Sequence, residues 1–367
     1  MPVTAEMDTL PVPRVEQFKG CILGCALGDV IGAWAERRPA AEARDYATYF
    51  IRLVDFAAER NHHGALFGQY TDDTQLTREL ALSIVGERSF VAEDFAARIA
   101  KAFAQDLVVG YGRSTKIAAT RLQRGVPWSE SGLPAPAAGN GAAMRAAPIG
   151  LLRWNDVDQL IVDAVDQAVI THKAEMSVAG AVTIAVATAM CLNASRSTSG
   201  PHEPGWWSWL ARFVARSSKD FSIDVEDLSR RVFGGRRNLG RRPGSPDERD
   251  DVFAWIKESD DKSWDGISPW ARSSVLWSLY CVMAHPTDVW KAIEMAIIVG
   301  GDTDTTAAMA GAIVGAHVGL DRFPAAVVEQ IAPRIHDARA PLWGWEALET
   351  LAARLHEVAT RPPVPGT

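Results

Sequence analysis

The chain lacks the residues and patterns that several large functional classes require. Its 367 residues include only four cysteines, Cys21, Cys25, Cys191 and Cys281, each in an apolar context. Cys21 and Cys25 share one helical face, but no second pair completes a zinc set, so buried, reduced thiols of a cytoplasmic protein are expected. The N-terminus is Pro-rich and acidic, without the basic-then-apolar order of a signal peptide. The longest uncharged apolar run, 177–192, falls short of a bilayer span and is rich in Ala, Gly and Thr, so no membrane partner is expected. A net charge of −7 argues against nucleic acid as the main partner, because neutralising phosphates requires a basic surface. Alternating runs of β-branched residues bounded by turns are weak throughout, which leaves an all-α fold. Walker A loops, dinucleotide fingerprints, nucleophile elbows and Cys/His dyads are missing as well.

What the chain does have is patterned. Residues 1–13 carry three prolines and no periodicity, and 361–367 form a Pro-rich tail, so a loose arm and a flexible tail are expected around a domain of residues 14–360. Gly20, Gly24, Gly28 and Gly32 recur every four residues in a segment that reads as helix. Each glycine costs a helix about 1 kcal/mol, so a stripe of them implies that another backbone comes close. Ala307, Gly311, Gly315 and Gly319 repeat the period near the other end. The two small-faced helices are expected to pair and bring Asp29 and Glu36 near Asp302 and Asp304. Residues 193–251 differ in kind: rich in Ser, Pro, Gly and Arg, with Trp206, Trp207, Trp209 and a basic patch of Arg236, Arg237, Arg241 and Arg242. They read as an insertion with short helices at 209–215 and 225–232, then a flexible, solvated loop through Pro246.

Two acidic clusters carry the chemistry. Thr71-Asp72-Asp73-Thr74 precedes a helical apolar pattern, and Gly300-Gly301-Asp302-Thr303-Asp304-Thr305-Thr306 precedes an Ala/Gly-rich run. A lone Asp-Thr pair is a helix cap. Two dense clusters of carboxylate and hydroxyl oxygens without Cys or His are the ligand set of a hard divalent cation, Mg²⁺ before Ca²⁺ or Mn²⁺. Gly110-Tyr111-Gly112 and Gly139-Asn140-Gly141 each read as a loop before a helix start, where bare N–H groups cradle phosphate. Arg145 adds a cation or a structural ion-pair partner, His172 reads as a satisfied structural histidine, and His62-His63 does not read as a metal site.

Five ordered blocks resemble the ADP-ribosylglycohydrolase family: Gly24-Cys25-Ala26-Leu27-Gly28-Asp29, Thr71-Asp72-Asp73-Thr74, Gly139-Asn140-Gly141 through Pro148, Thr171-His172, and Gly300 through Thr306. The resemblance implies a single compact, orthogonal all-α bundle with two Mg²⁺ ions, Mn²⁺ as a substitute, in a central binuclear cleft. Its metal ligands fall on Thr71, Asp72, Asp73, Asp302, Asp304 and Thr305. It further implies that Gly112, Asn140, Gly141, Met144 and His172 line an ADP-ribose site. The substrate it implies is an ADP-ribosylated molecule, most often a protein, cleaved at the C1″ bond to an acceptor, classically an arginine guanidinium. Glu36 or a metal-bound carboxylate such as Asp302 is the expected base, and Asp106 a candidate acid. The alternatives are a non-enzymatic relative that binds ADP-ribose or a partner (an immunity or structural protein), or a hydrolase of serine-linked, nucleic-acid-base or small-molecule conjugates. Lys173-Ala174-Glu175 departs from the family pattern after its Thr-His, and the 193–251 insertion lies outside the motif set, where it is expected to shape the cleft rim or meet a protein substrate.

Overall fold

The structure is a computed structural model that describes residues 12–49, 61, 63–194, 200–234 and 243–361. Most of the expected arm and tail, His62 and the four-arginine patch lie outside the described residues.

Val15–Ala35, Glu175–Ala194 and Thr303–Val318 are among the helices that have no polar face. A helix apolar on every side must be enclosed by others, and these form the centre of the fold. Val15–Ala35 packs on Thr303–Val318 and Trp345–Ala359, while Thr303–Val318 also touches Val289–Ile297, Ala271–Ala284 and Glu175–Ala194. Amphipathic helices such as Ala92–Ala104 and Trp345–Ala359 coat this centre with their apolar faces inward. Among the described residues β structure is confined to isolated bridges, so the fold is all-α. Val15–Ala35 and Glu175–Ala194 are long and apolar enough to cross a membrane, but 94% and 83% of their apolar windows are buried inside the fold. The 177–192 run, expected to fall short of a bilayer span, is part of the 20-residue helix Glu175–Ala194.

The glycine stripes do pair. A methyl built on Gly24 would land on the carbonyl of Gly311, and one on Gly311 would land on that of Gly24. Gly20 and Gly315 stand in the same reciprocal relation, Gly28 faces Ala307, and Gly32 faces the backbone of Thr303 and Asp304. Side chains of any size would separate the helices, so the helix propensity lost at each glycine is offset by backbone-to-backbone contact. The register is antiparallel: rising numbers in one helix meet falling numbers in the other. It therefore sets the C-terminal end of the first helix, with Asp29 and Glu36, beside the N-terminal end of the second, with Asp302 and Asp304. Gly319, at the C-cap of its helix, ends the seam with its backbone against Gly20 and Glu16.

The 193–251 stretch is more regular than expected. Pro204–Val214 and Lys219–Ser229 are helices, a short π-helical turn follows at Arg230–Gly234, and Pro246 opens a helix instead of closing a loop. Proline suits that first helical position because its missing N–H has no partner there. Trp206 and Trp207 are buried, and the Trp207 indole N–H donates to the Pro201 carbonyl (2.8 Å). The tryptophans thus serve packing, and no described residue of the stretch lines the cleft described next.

Candidate active site

Thr71 caps the helix Asp72–Glu87, and Asp302 caps Thr303–Val318. Both clusters therefore sit at helix N-termini, whose exposed N–H groups favour negative charge. The two are fixed by different means. In the first, Asp29 of the glycine-striped helix reaches across and accepts from the Thr71 N–H (3.0 Å), the Thr71 hydroxyl (2.8 Å), the Thr74 N–H (3.0 Å) and the Thr74 hydroxyl (2.6 Å). In the second, Gly300 and Gly301 take positive φ (72° and 96°), and a side chain on Gly301 would overlap the backbone of Ile267. The Asp302 N–H donates to the Ile267 carbonyl (2.8 Å), and the Thr303 hydroxyl donates to that of Gly32 (2.7 Å).

The clusters meet. The Thr305 hydroxyl donates to Asp73 Oδ2 (3.3 Å), joining residues from opposite ends of the chain. Asp29, Asp72, Asp73, Asp302 and Asp304 are all buried. Burial, then the charge of Asp29, pushes the Asp72 carboxyl up to about 8. Asp302 is pushed up to about 7 by burial and by Glu36, against the pull of its Asn140 and Thr305 hydrogen bonds. Burial and neighbouring carboxylates raise Asp73 and Asp304 well above the usual range. Asp73 Oδ1 is buried and has no hydrogen-bond partner among the described residues. Repelling carboxylates, an orphaned oxygen and adjacent Thr hydroxyls are a donor set suited to hard divalent cations. The residues present thus fit a metal group at this place.

A cleft of about 670 Å³ opens over this cluster. Asp72, Asp302, Asp304, Thr305 and Glu36 face it, as do Gly112, Asn140, Gly141, Met144, His172 and Asp106. Thr71 and Asp73 lie behind that wall, fully buried. Asn140 does more than line it: its amide donates to Asp302 Oδ2 (2.6 Å) and Ser274 Oγ (3.1 Å), so it holds a carboxylate in place. Gly110 takes φ +84° and packs its backbone against Thr71, His63 and Asp72. Its loop is tied down by Gln75, which accepts from the Val109 N–H (2.8 Å) and donates to the Leu107 carbonyl (2.9 Å). The loop then enters the helix Arg113–Gln123 at Gly112, as expected. The second loop does not enter a helix directly. Successive turns occupy 140–146, the Asn140 N–H is spent on the Pro269 carbonyl, and the next helix is Ala147–Leu152.

Asp106 sits at the outer rim. Its side chain is 79% exposed and ion-paired with Arg339, whose guanidinium also bonds the Asp106 carbonyl. Three residues escaped the sequence reading. His63 Nε2 lies 2.6 Å from Glu36 Oε2, and Glu36, His63 and Asp304 place ligand atoms within 4.8 Å of one another, a group able to hold a metal ion. Arg37, with a left-handed backbone (φ 57°), lays its guanidinium 4.0 Å from the ring of Trp264 at the mouth. No periodicity marks such residues; only the juxtaposition of His63 with Gly110 and of Arg37 with Glu36 reveals them.

A sequence model described as ADP-ribosylglycohydrolase matches residues 11–364. The chain belongs to the ADP-ribosylglycohydrolase family. It is 28% identical to ADP-ribosylhydrolase ARH3 of Bos taurus, over 94% of this chain and 93% of that one. It is 26% identical to ADP-ribosylhydrolase ARH3 of Homo sapiens, over 94% of each. An uncharacterized protein of Archaeoglobus fulgidus is 30% identical over 94% of this chain and 98% of its own length. A solved structure described as an ADP-ribosylglycohydrolase-related protein complex aligns with a TM-score of 0.63 over 95% of this chain and 99% of that one. At 24% identity that likeness bears on the fold, which is the family's all-α fold. Family membership makes ADP-ribose chemistry the frame in which the cleft is read.

Proposed function

We propose that this family member is a Mg²⁺-dependent hydrolase that releases ADP-ribose from a modified acceptor, with the N-glycosidic bond to a protein arginine as the leading acceptor linkage. The observation that carries the reading is the meeting of Asp72-Asp73 with Asp302 and Asp304 beneath one cleft, closed by the Thr305–Asp73 hydrogen bond. Its volume, about 670 Å³, lies in the range of small-ligand sites. Thr71, Asp72, Asp73, Asp302, Asp304 and Thr305 would hold two Mg²⁺ ions, with Mn²⁺ as a substitute. Bound there, such ions supply the charge that polarises a ribose oxygen and brings the pKa of a water toward neutrality.

The chain's own residues do the rest. Glu36, beside Asp304 and against His63, is placed to take a proton from the attacking water. In that step the water oxygen bonds to C1″ as its proton passes to Glu36, and the C1″–acceptor bond breaks with its electron pair leaving on the acceptor. The proton held by Glu36 is returned to the acceptor through solvent, which restores the carboxylate. Asn140 holds Asp302 in position, and Gly110 and Gly141 keep the walls free of side-chain bulk. Thr71, Asp72, Asp73, Asp302 and Asp304 are all present, which favours an enzyme over a binding-only relative. A panel of arginine-linked, serine-linked and base-linked ADP-ribosyl conjugates, each with Mg²⁺ and with EDTA, tests the reading. Mg²⁺-dependent release of ADP-ribose from the arginine conjugate is expected. Release from another member alone would reassign the acceptor, and release from none would favour the non-enzymatic alternative.

A further inference from the structure

The histidine on the cleft wall is the end of a buried hydrogen-bond chain. Arg145 is fully buried and donates through Nε to Gln167 Oε1 (3.1 Å), and through one terminal nitrogen to the Gln167 carbonyl (3.1 Å) and Thr171 Oγ1 (2.7 Å). Gln167 itself donates to the Ala142 carbonyl (2.9 Å), so one side chain ties the arginine to the second glycine loop. Thr171 Oγ1 lies 2.8 Å from His172 Nδ1.

Proton accounting along this chain has one solution that leaves neither the Thr171 hydroxyl nor His172 Nδ1 unpaired, whereas the other terminal nitrogen of Arg145 is buried with no partner among the described residues. A guanidinium has only donors, so the Thr171 oxygen accepts from Arg145. The Thr171 proton then needs an acceptor, and among the described residues the only one it has is His172 Nδ1. If Nδ1 carried a proton instead, the Thr171 hydroxyl would accept twice and leave its own proton buried without a partner. Burial and the Arg145 charge both oppose a second proton on the ring, drawing His172 down to about 3. Its proton is therefore on Nε2. That nitrogen lies between the two glycines of the loop: a methyl on Gly139 or on Gly141 would come 3.4 Å from it.

We infer that Arg145 and Thr171 are positioning residues that lock His172 as its Nε2–H tautomer, a neutral donor presented to an oxygen acceptor of the ligand between Gly139 and Gly141. Resting on the function proposed above, that acceptor is a hydroxyl or phosphate oxygen of ADP-ribose. His172 then binds and does not serve as a base, because its lone pair faces Thr171.

The test is ¹⁵N NMR of the full chain labelled at histidine, with His172 assigned by the signal lost in His172→Gln. A proton fixed on Nε2 at neutral pH is expected in the wild type and in Thr171→Ser, which keeps the hydroxyl. Thr171→Val should release the lock, giving averaged tautomers and an ADP-ribose Kd about three- to tenfold weaker, the worth of one lost hydrogen bond. A proton on Nδ1, a charged ring, or an unchanged tautomer in a folded Thr171→Val would overturn the inference. Failure of the Mg²⁺-loaded wild type to bind ADP-ribose would instead overturn the function proposed for the site, with the tautomer still judged by the NMR signals.

Discussion

The two acidic clusters have nearly the same composition and the same place at a helix N-terminus, yet they are held by opposite means. Thr71–Thr74 depends on a side chain: Asp29 alone accepts four hydrogen bonds that shape the turn. The 302–305 cluster depends on backbone: two left-handed glycines and a bridge to Ile267 set its path, and Asn140 adds one side-chain contact. A turn held by one carboxylate can be undone by one substitution, whereas a turn held by backbone is more tolerant of side-chain change. The carboxylates that face the cleft can thus stay mutually repelling without distorting the fold, because other groups hold them there.

Removing a carboxylate from either side should have the largest effect. Asp73→Asn and Asp304→Asn are each expected to lower kcat on the order of a thousandfold, with circular dichroism unchanged. Unequal losses would show that one cluster dominates. Next comes the contrast between supports. Asp29→Asn replaces an acceptor of four bonds with a side chain that can accept at one oxygen only, and should cost about 2–4 kcal/mol in urea unfolding. It should also weaken Mg²⁺ binding by roughly 10- to 100-fold. Asn140→Ala removes a smaller part of its cluster's support and should weaken Mg²⁺ binding only about tenfold, the low end of that range. Equal effects would contradict the contrast.

A smaller and graded effect should appear with pH. The buried carboxylates have folded values raised above their unfolded ones, Asp302 to about 7 and Asp72 to about 8. Their contribution to stability is complete below the unfolded value of about 4 and is lost as pH rises through the folded ones. Metal-free protein should therefore melt at progressively lower temperature from pH 5 to pH 8.5, and the gain in Tm from added Mg²⁺ should grow over the same interval. The smallest effect is expected at the rim. Asp106→Asn should change kcat by less than about threefold, in keeping with an exposed ion pair to Arg339. A loss of a hundredfold or more would return Asp106 to the role of acid.

Much of this was legible in the sequence, for identifiable reasons. Glycines every four residues report a steric requirement that does not depend on context, so the pairing of the 20–32 stripe with the helix that carries the 307–319 stripe, and its orientation, could be read in advance, while the contact of Gly32 with Thr303 could not. The ligand-rich clusters were legible because Asp and Thr at that density have few other uses. The function of Asp29 was not, since a carboxylate that caps a distant turn looks like any acidic residue on a helix. Asn140 was read as a ligand contact because it lies in the Gly139-Asn140-Gly141 block, but its hydrogen bond to Asp302 depends on a fold that joins residues far apart in sequence. His63, Arg37 and Trp264 sit in irregular segments where no period exists to read. The 193–251 stretch misled through composition: Ser, Pro, Gly and Arg suggested a loop-rich insertion, whereas Trp206 and Trp207 pack inward and Pro204 and Pro246 open helices.

The central claim is that the two clusters form one cation centre. Calorimetric titration of Mg²⁺ into EDTA-treated wild type, Asp73→Asn and Asp304→Asn tests it most directly. Two ions per wild-type chain are expected, and in each variant a loss that extends to the ion on the opposite cluster. Wild type that takes up no Mg²⁺, or variants that each lose one ion and keep the other at full affinity, would contradict it.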